Sequence, residues 1–104
     1  MIENMQEFID EWGLEDDVII LEPQSDFNGG IIGVSEDRCH LIYSYDKLVE
    51  SLAESYKNYD LKNSAELKID DEYRQDAIDW IEVNTIPSIK YWNQDFAPIV
   101  IYEV

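Results

Sequence analysis

An unpaired carboxylate is costly to bury, so a folded chain must keep its acids in water or pair them. This chain has 24 Asp and Glu against 7 Lys and Arg, a formal charge of −17. Pairing can serve only a minority of them, so most must sit on the solvent-facing sides of their elements. The stretch DDEYRQDAIDWIEVNTI, residues 70 to 86, has that form. Asp70, Asp71, Glu72, Asp76, Asp79 and Glu82 stand against Arg74 alone, while Tyr73, Ala77, Trp80 and Ile81 recur at helical spacing. A hydrophobic content of 45 % supplies enough apolar surface to fold despite the charge. A length of 104 residues fits one domain, 1–104.

The same reading along the chain predicts an α+β fold: a small, largely antiparallel sheet of about four strands with about three helices packed against it. The first helix is expected over 2–12, through Ile2, Met5, Phe8, Ile9 and Trp12, with Gly13 as its stop. The apolar run at 18–21 reads as a short strand ended by Pro23, and QSDFNGG reads as a loop. Runs at 31–35 and 39–45 have hairpin spacing around EDR. Residues 46–57 switch to helical period with Ser44 or Asp46 as cap. NYDLKNSAELKI reads as a loop or irregular segment, the third helix follows with Asp70 as cap, and APIVIYEV closes the chain as a strand. The expected core includes Phe8, Trp12, Ile20, Ile32, Leu41, Tyr43, Leu52, Tyr73, Trp80 and Ile99.

Motifs for chemistry are weak. One His and one Cys exclude the usual zinc ligand sets, and no cofactor is expected. Asp26, Asn28 and Gly30 resemble the start of a calcium loop, but Ile31 and Asp37 occupy its Gly and Glu positions. Cys39 and His40 are adjacent, so on a strand they point to opposite faces and form no dyad; Cys39 is expected as a small core residue. Ser44-Tyr45-Asp46-Lys47 fits S-x-x-K without its accompanying motifs. Gly29, Gly30 and Gly33 precede a strand rather than a helix and are no phosphate loop. Close carboxylate pairs arise by chance among 24 acids, so an enzyme with a carboxylate site is the weakest reading.

The charge itself is the strongest signal. Small soluble domains typically carry a net charge of about 2–8 in magnitude, and −17 exceeds that at a cost in self-repulsion. Glu72, Asp76 and Asp79 fall at i, i+4 and i+7, as do Glu3, Glu7 and Asp10 in the first helix. Each like-charged i,i+4 pair costs about 0.2–0.5 kcal/mol. A compact chain of this length is roughly 33 Å across. Spread over it, the net charge approaches the one per ≈ 1.7 Å of duplex DNA. Glu72, Asp76, Asp79 and Glu82, with Glu3, Glu7 and Asp10, are the candidate partner-binding residues. A basic, nucleic-acid-binding protein is the expected partner, while nucleic acid and anionic membranes are repelled. No apolar run approaches the roughly 18 residues of a membrane span. The acidic start MIENMQEFIDEW has no basic n-region, and one Cys makes no internal disulfide; a cytoplasmic location is expected.

The segments IIGVSEDRCHLIYSYDKLVESL and DAIDWIEVNTIPSIKYWNQDFAPIVIYEV resemble a family of small acidic proteins from phages and mobile elements of low-GC Gram-positive bacteria. That family has a YDYDKLVE-like segment and an EDAIEWIEYNTIRALPY…APIII-like ending. The matching residues are Tyr43, Tyr45, Asp46, Lys47, Leu48, Val49 and Glu50, then Asp76, Ala77, Ile78, Trp80, Asn84, Thr85, Ile86, Tyr91, Ala97, Pro98, Ile99 and Val100. The chain departs at Pro87 and Lys90, where the family has a basic residue and a proline. The resemblance implies a mobile-element setting, in which small acidic proteins often inhibit host defence nucleases. Two binding functions follow as expectations. The first is a non-enzymatic, nucleic-acid-mimicking inhibitor of a CRISPR or restriction nuclease. The second is an immunity or antitoxin protein neutralising a basic toxic enzyme.

Overall fold

The computed structural model describes residues 4–104, an α+β fold in the order α1 (Met5–Trp12), α2 (Gln24–Phe27), a 3₁₀ turn (Asn28–Gly30), β1 (Ile31–Val34), β2 (Leu41–Ser44), α3 (Tyr45–Lys62), α4 (Asp70–Trp80), a π-helical turn (Ile81–Thr85), α5 (Ile86–Ile89) and β3 (Ile99–Ile101). α1 forms as its periodicity predicts. The Asn4 side chain accepts from the Gln6 and Glu7 amides, and Gly13, at φ 66°, stops the helix in the left-handed region open to glycine. Residues 2 and 3 of the expected first helix lie outside the described residues.

The sheet is three-stranded and mixed, where four largely antiparallel strands were expected. β1 and β2 form the antiparallel hairpin, and β3 runs parallel to β2 with Tyr43 opposite Val100. A parallel partner needs a long crossover, which residues 45–98 supply with α3, α4 and α5 between the two strands. The second strand begins at Leu41 rather than 39, so Cys39 and His40 precede it, and Cys39 is half-buried rather than in the core. The strand expected at 18–21 does not form. Its donors leave the ladder: the Ile19 amide donates to the Phe96 carbonyl at 3.1 Å, and the Leu21 amide donates to Tyr43 Oη at 3.1 Å. QSDFNGG, expected as a loop, winds into α2 and the 3₁₀ turn, and Gly30 is pressed so closely on Leu48 that a Cβ would stand 2.7 Å from Cδ2.

The main core gathers Leu21, Phe27, Leu41, Tyr43, Leu48, Val49, Leu52, Ala77 and Ile81, all buried. Of the ten expected core residues, Leu41, Tyr43, Leu52 and Tyr73 are buried, and Phe8 and Ile20 pack partly buried against the core. Trp12, Ile32, Trp80 and Ile99 are exposed instead. Ile32 sits where the β1–β2 register slips between Ile31 and Gly33, and such a bulge breaks the in–out alternation. Ile99 lies on an edge strand paired on one side only. Trp80 touches the core through Phe27, ring centroids 6.0 Å apart, but keeps 36 % of its surface exposed.

α3 is longer than its apolar pattern. Ser44 Oγ caps it, accepting from the Lys47 amide at 3.3 Å, and it runs to Lys62, through residues expected as loop. Its last buried residue is Leu52, so the distal turns project beyond the main core. α4 packs along them, starting after Ile69, with Asp70 as its first helical residue rather than its cap. Asp70, Asp71 and Glu72 occupy its first turn, where the helix dipole favours acids. Pro87 follows the π turn. A proline ring collides with the carbonyl four residues back and leaves it no donor, and the wider π turn over residues 81–85 absorbs that conflict.

Candidate binding groove between α3 and α4

Because α3 outruns the core, its distal face and α4 meet over an open groove of about 580 Å³. α3 contributes Tyr56, Tyr59 and Asp60, the loop between the helices Lys68, α4 Tyr73, Asp76, Asp79 and Trp80, and the π turn Val83 and Asn84. Tyr59, at 67 %, and Val83, at 72 %, stand well into solvent. Both therefore present apolar surface to solvent beside the carboxylates of the groove.

Tyr73 is the buried anchor. Its hydroxyl donates to Asp60 Oδ2 at 2.8 Å and accepts from the Lys68 amide at 3.2 Å, tying α3, the loop and α4 together. The Lys68 amide pulls the phenol's pKa down, but burial and the bond to Asp60 outweigh it, and the phenol titrates above its ordinary value. Lys68 lays its ammonium 2.9 Å from Asp76 Oδ2 and 6.0 Å from the Tyr73 ring centre. The hydrogen bond to Asp76, then its charge, pushes the Lys68 pKa up, with smaller help from Asp60 and Glu72. Burial pushes the Tyr56 phenol up, and the charges of Asp26 and Asp76 add to it. The groove therefore favours positive charge and resists further negative charge.

The candidate residues separate in space. Asp76 and Asp79 line the groove. Asp79 accepts from Gln75 Nε2 at 2.9 Å and has no basic partner among the described residues. Glu72 is exposed one turn earlier on α4, outside the lining. Glu82 belongs to a different surface, where it accepts from Tyr45 Oη at 2.7 Å beside the Tyr45–Tyr102 stack. Burial and the bond to Glu82 push the Tyr45 phenol up to about 12. Glu7 and Asp10 are exposed on α1, which lends no residue to the groove; Asp10 accepts from Gln6 Nε2 at 3.1 Å. Glu3 lies outside the described residues. Tyr59, Asp60 and Lys68 escape a reading of the sequence that ends the helix at 57, and Tyr56 falls within that helix as part of its apolar pattern rather than as a site residue. The i, i+3, i+4 spacing of Tyr56, Tyr59 and Asp60 is the signal that finds them.

Elsewhere, Lys57 pairs with Asp70 at 3.0 Å and Arg74 with Asp46 at 3.9 Å, both between partly exposed side chains. Among the described residues, no group of three or more His, Cys, Asp and Glu converges as a metal site, and no helix is long and apolar enough to cross a membrane. Comparison with family models, with curated proteins and with solved structures finds no match to this chain.

Proposed function

We propose that this chain is a non-enzymatic binding module that presents carboxylates to the basic, nucleic-acid-binding surface of another protein in the cytoplasm. The observation that carries the reading is the α3–α4 end, where Asp76 and Asp79 flank exposed aromatic rings and Lys68 is the only base in the lining. The shape is compatible with it. The molecule extends 45 Å along its long axis. A net charge of −16 without Glu3 gives about one per 2.8 Å, against one per ≈ 1.7 Å of duplex DNA. Such a surface speeds encounter with a basic cleft and holds nucleic acid off it by repulsion. The resemblance to acidic proteins of phages and mobile elements directs the proposal to a host defence nuclease of the CRISPR or restriction type.

The test is retention of partners from host lysate by the wild type and by a variant carrying Glu72→Gln, Asp76→Asn and Asp79→Asn. The reading expects the wild type to hold a basic nucleic-acid-binding protein that the variant loses, with weaker salt dependence in whatever it still holds. Retention of no such protein contradicts the reading, as does equal retention of the same proteins by both. A basic toxic enzyme in place of a nuclease would make the chain an immunity protein.

A further inference from the structure

Lys68 already shows what the α3–α4 groove accepts: a cation held between a carboxylate and an aromatic face. One cation leaves most of the lining unused. Asp79 carries no ion pair among the described residues, and the Tyr59 and Trp80 rings keep 67 % and 36 % of their surfaces exposed. Asp76 and Asp79 are three residues apart on α4 and so are neighbours, with about 5–6 Å between their Cβ atoms. Flat rings next to paired acceptors suit a guanidinium better than an ammonium. The guanidinium is planar, weakly hydrated, stacks on aromatic faces and donates in a fork to carboxylates.

We propose that this groove is an arginine-binding site: an exposed arginine of the partner lays its guanidinium on the Tyr59 and Trp80 rings and turns its N–H groups to Asp79 and Asp76. The inference rests on the binding function proposed above and names the chemistry of its contact. Arginines on a nucleic-acid-binding surface are there to take phosphate oxygens in the same forked geometry, and here carboxylates take the phosphate's place. Lys68 competes for Asp76, so it weakens the site it occupies.

The experiment follows backbone amide and indole N–H signals of the ¹⁵N-labelled chain during titration with two peptides, Ac-Gly-Arg-Gly-NH₂ and Ac-Gly-Lys-Gly-NH₂. Trp12 is an internal control, because it is also exposed and stands among the acids of α1, away from the groove. Saturable shifts of the Trp80 indole and of α3 and α4 amides are expected, with Trp12 unmoved and the arginine peptide bound about three-fold more tightly. Tyr59→Ser, a change at a solvent-facing ring, should weaken arginine binding by about three-fold, and Asp79→Asn by a similar factor. Lys68→Ala should tighten it. The proposal is overturned if Trp12 and α1 shift as strongly as Trp80, if the two peptides are indistinguishable, or if Tyr59→Ser binds like wild type. If peptide binding fails in one of these ways while the lysate partner is still lost on α4 neutralisation, the binding function stands and the arginine site does not.

Discussion

Phe27 and Tyr73 are both buried aromatic rings, and their surroundings differ in kind. Phe27 belongs to the main apolar cluster with Leu21, Leu41, Tyr43 and Leu48, where the sheet, α2 and α3 close on one another. Tyr73 is buried outside that cluster, and polar bonds hold it: its hydroxyl links Asp60 to the Lys68 amide. Every residue from 61 to 72 is exposed. One end of the molecule is stabilised by area removed from water, the other by two helices leaning on a hydrogen-bonded phenol and three half-exposed ion pairs nearby. The difference shows how a chain of this charge folds at all. Stability is concentrated where acids are absent, so the remaining surface can stay crowded with carboxylates.

The sharpest contrast lies between Phe27 and Trp80, neighbours across the boundary. Phe27→Ala should cost about 3–5 kcal/mol of unfolding free energy by urea denaturation, as expected for a fully buried ring. Trp80→Ala should cost about 1–2 kcal/mol, because its partly exposed ring removes less area from water. Equal losses would erase the boundary and make the groove wall part of the core.

Alkaline pH probes the main core through Tyr43. Burial pushes the Tyr43 phenol up to about 12, against the Leu21 amide bond that lowers it and with a smaller contribution from Glu22. An unfolded tyrosine titrates near 10. Below about pH 10 both states keep the proton, so stability is unaffected. Between about 10 and 12 the unfolded chain loses a proton that the folded chain retains, and stability falls as pH rises. Tyr43 should account for about 2–3 kcal/mol of that fall. Denaturation midpoints from pH 9 to 12 should drop in this window for the wild type and stay flatter for Tyr43→Phe. A flat wild-type profile would remove Tyr43 from the sealed core.

Periodicity found α1, the hairpin, the Ser44 cap and the Tyr73–Ala77–Ile81 stripe because each depends on neighbours in sequence. It missed what depends on distant partners. The run at 18–21 is as apolar as a strand, yet its amides satisfy themselves on Tyr43 and Phe96, so no ladder forms. The distal turns of α3 bury little and leave no apolar stripe to read; Lys57 on Asp70 and Tyr73 on Asp60 secure them from another helix. Half the groove was therefore legible as the acids of α4. Tyr73 and Trp80 were legible as the stripe of the same helix and Tyr56 as the last turn of the one before, while Tyr59 and Asp60 lay past that helix's expected end.

Taken together, Glu72, Asp76 and Asp79 contribute no net stability to the fold. Glu72 and Asp79 each stand one turn from Asp76, so neutralising all three relieves repulsion of about 0.2–0.5 kcal/mol per pair. It also forfeits the Lys68–Asp76 pair, which is half-exposed and screened by solvent, so it adds little. The direct measurement is the urea unfolding free energy of Glu72→Gln/Asp76→Asn/Asp79→Asn beside wild type at low salt. A difference within about 0.5 kcal/mol in either direction is the predicted result. A loss of about 2 kcal/mol or more would make these acids structural and contradict the claim.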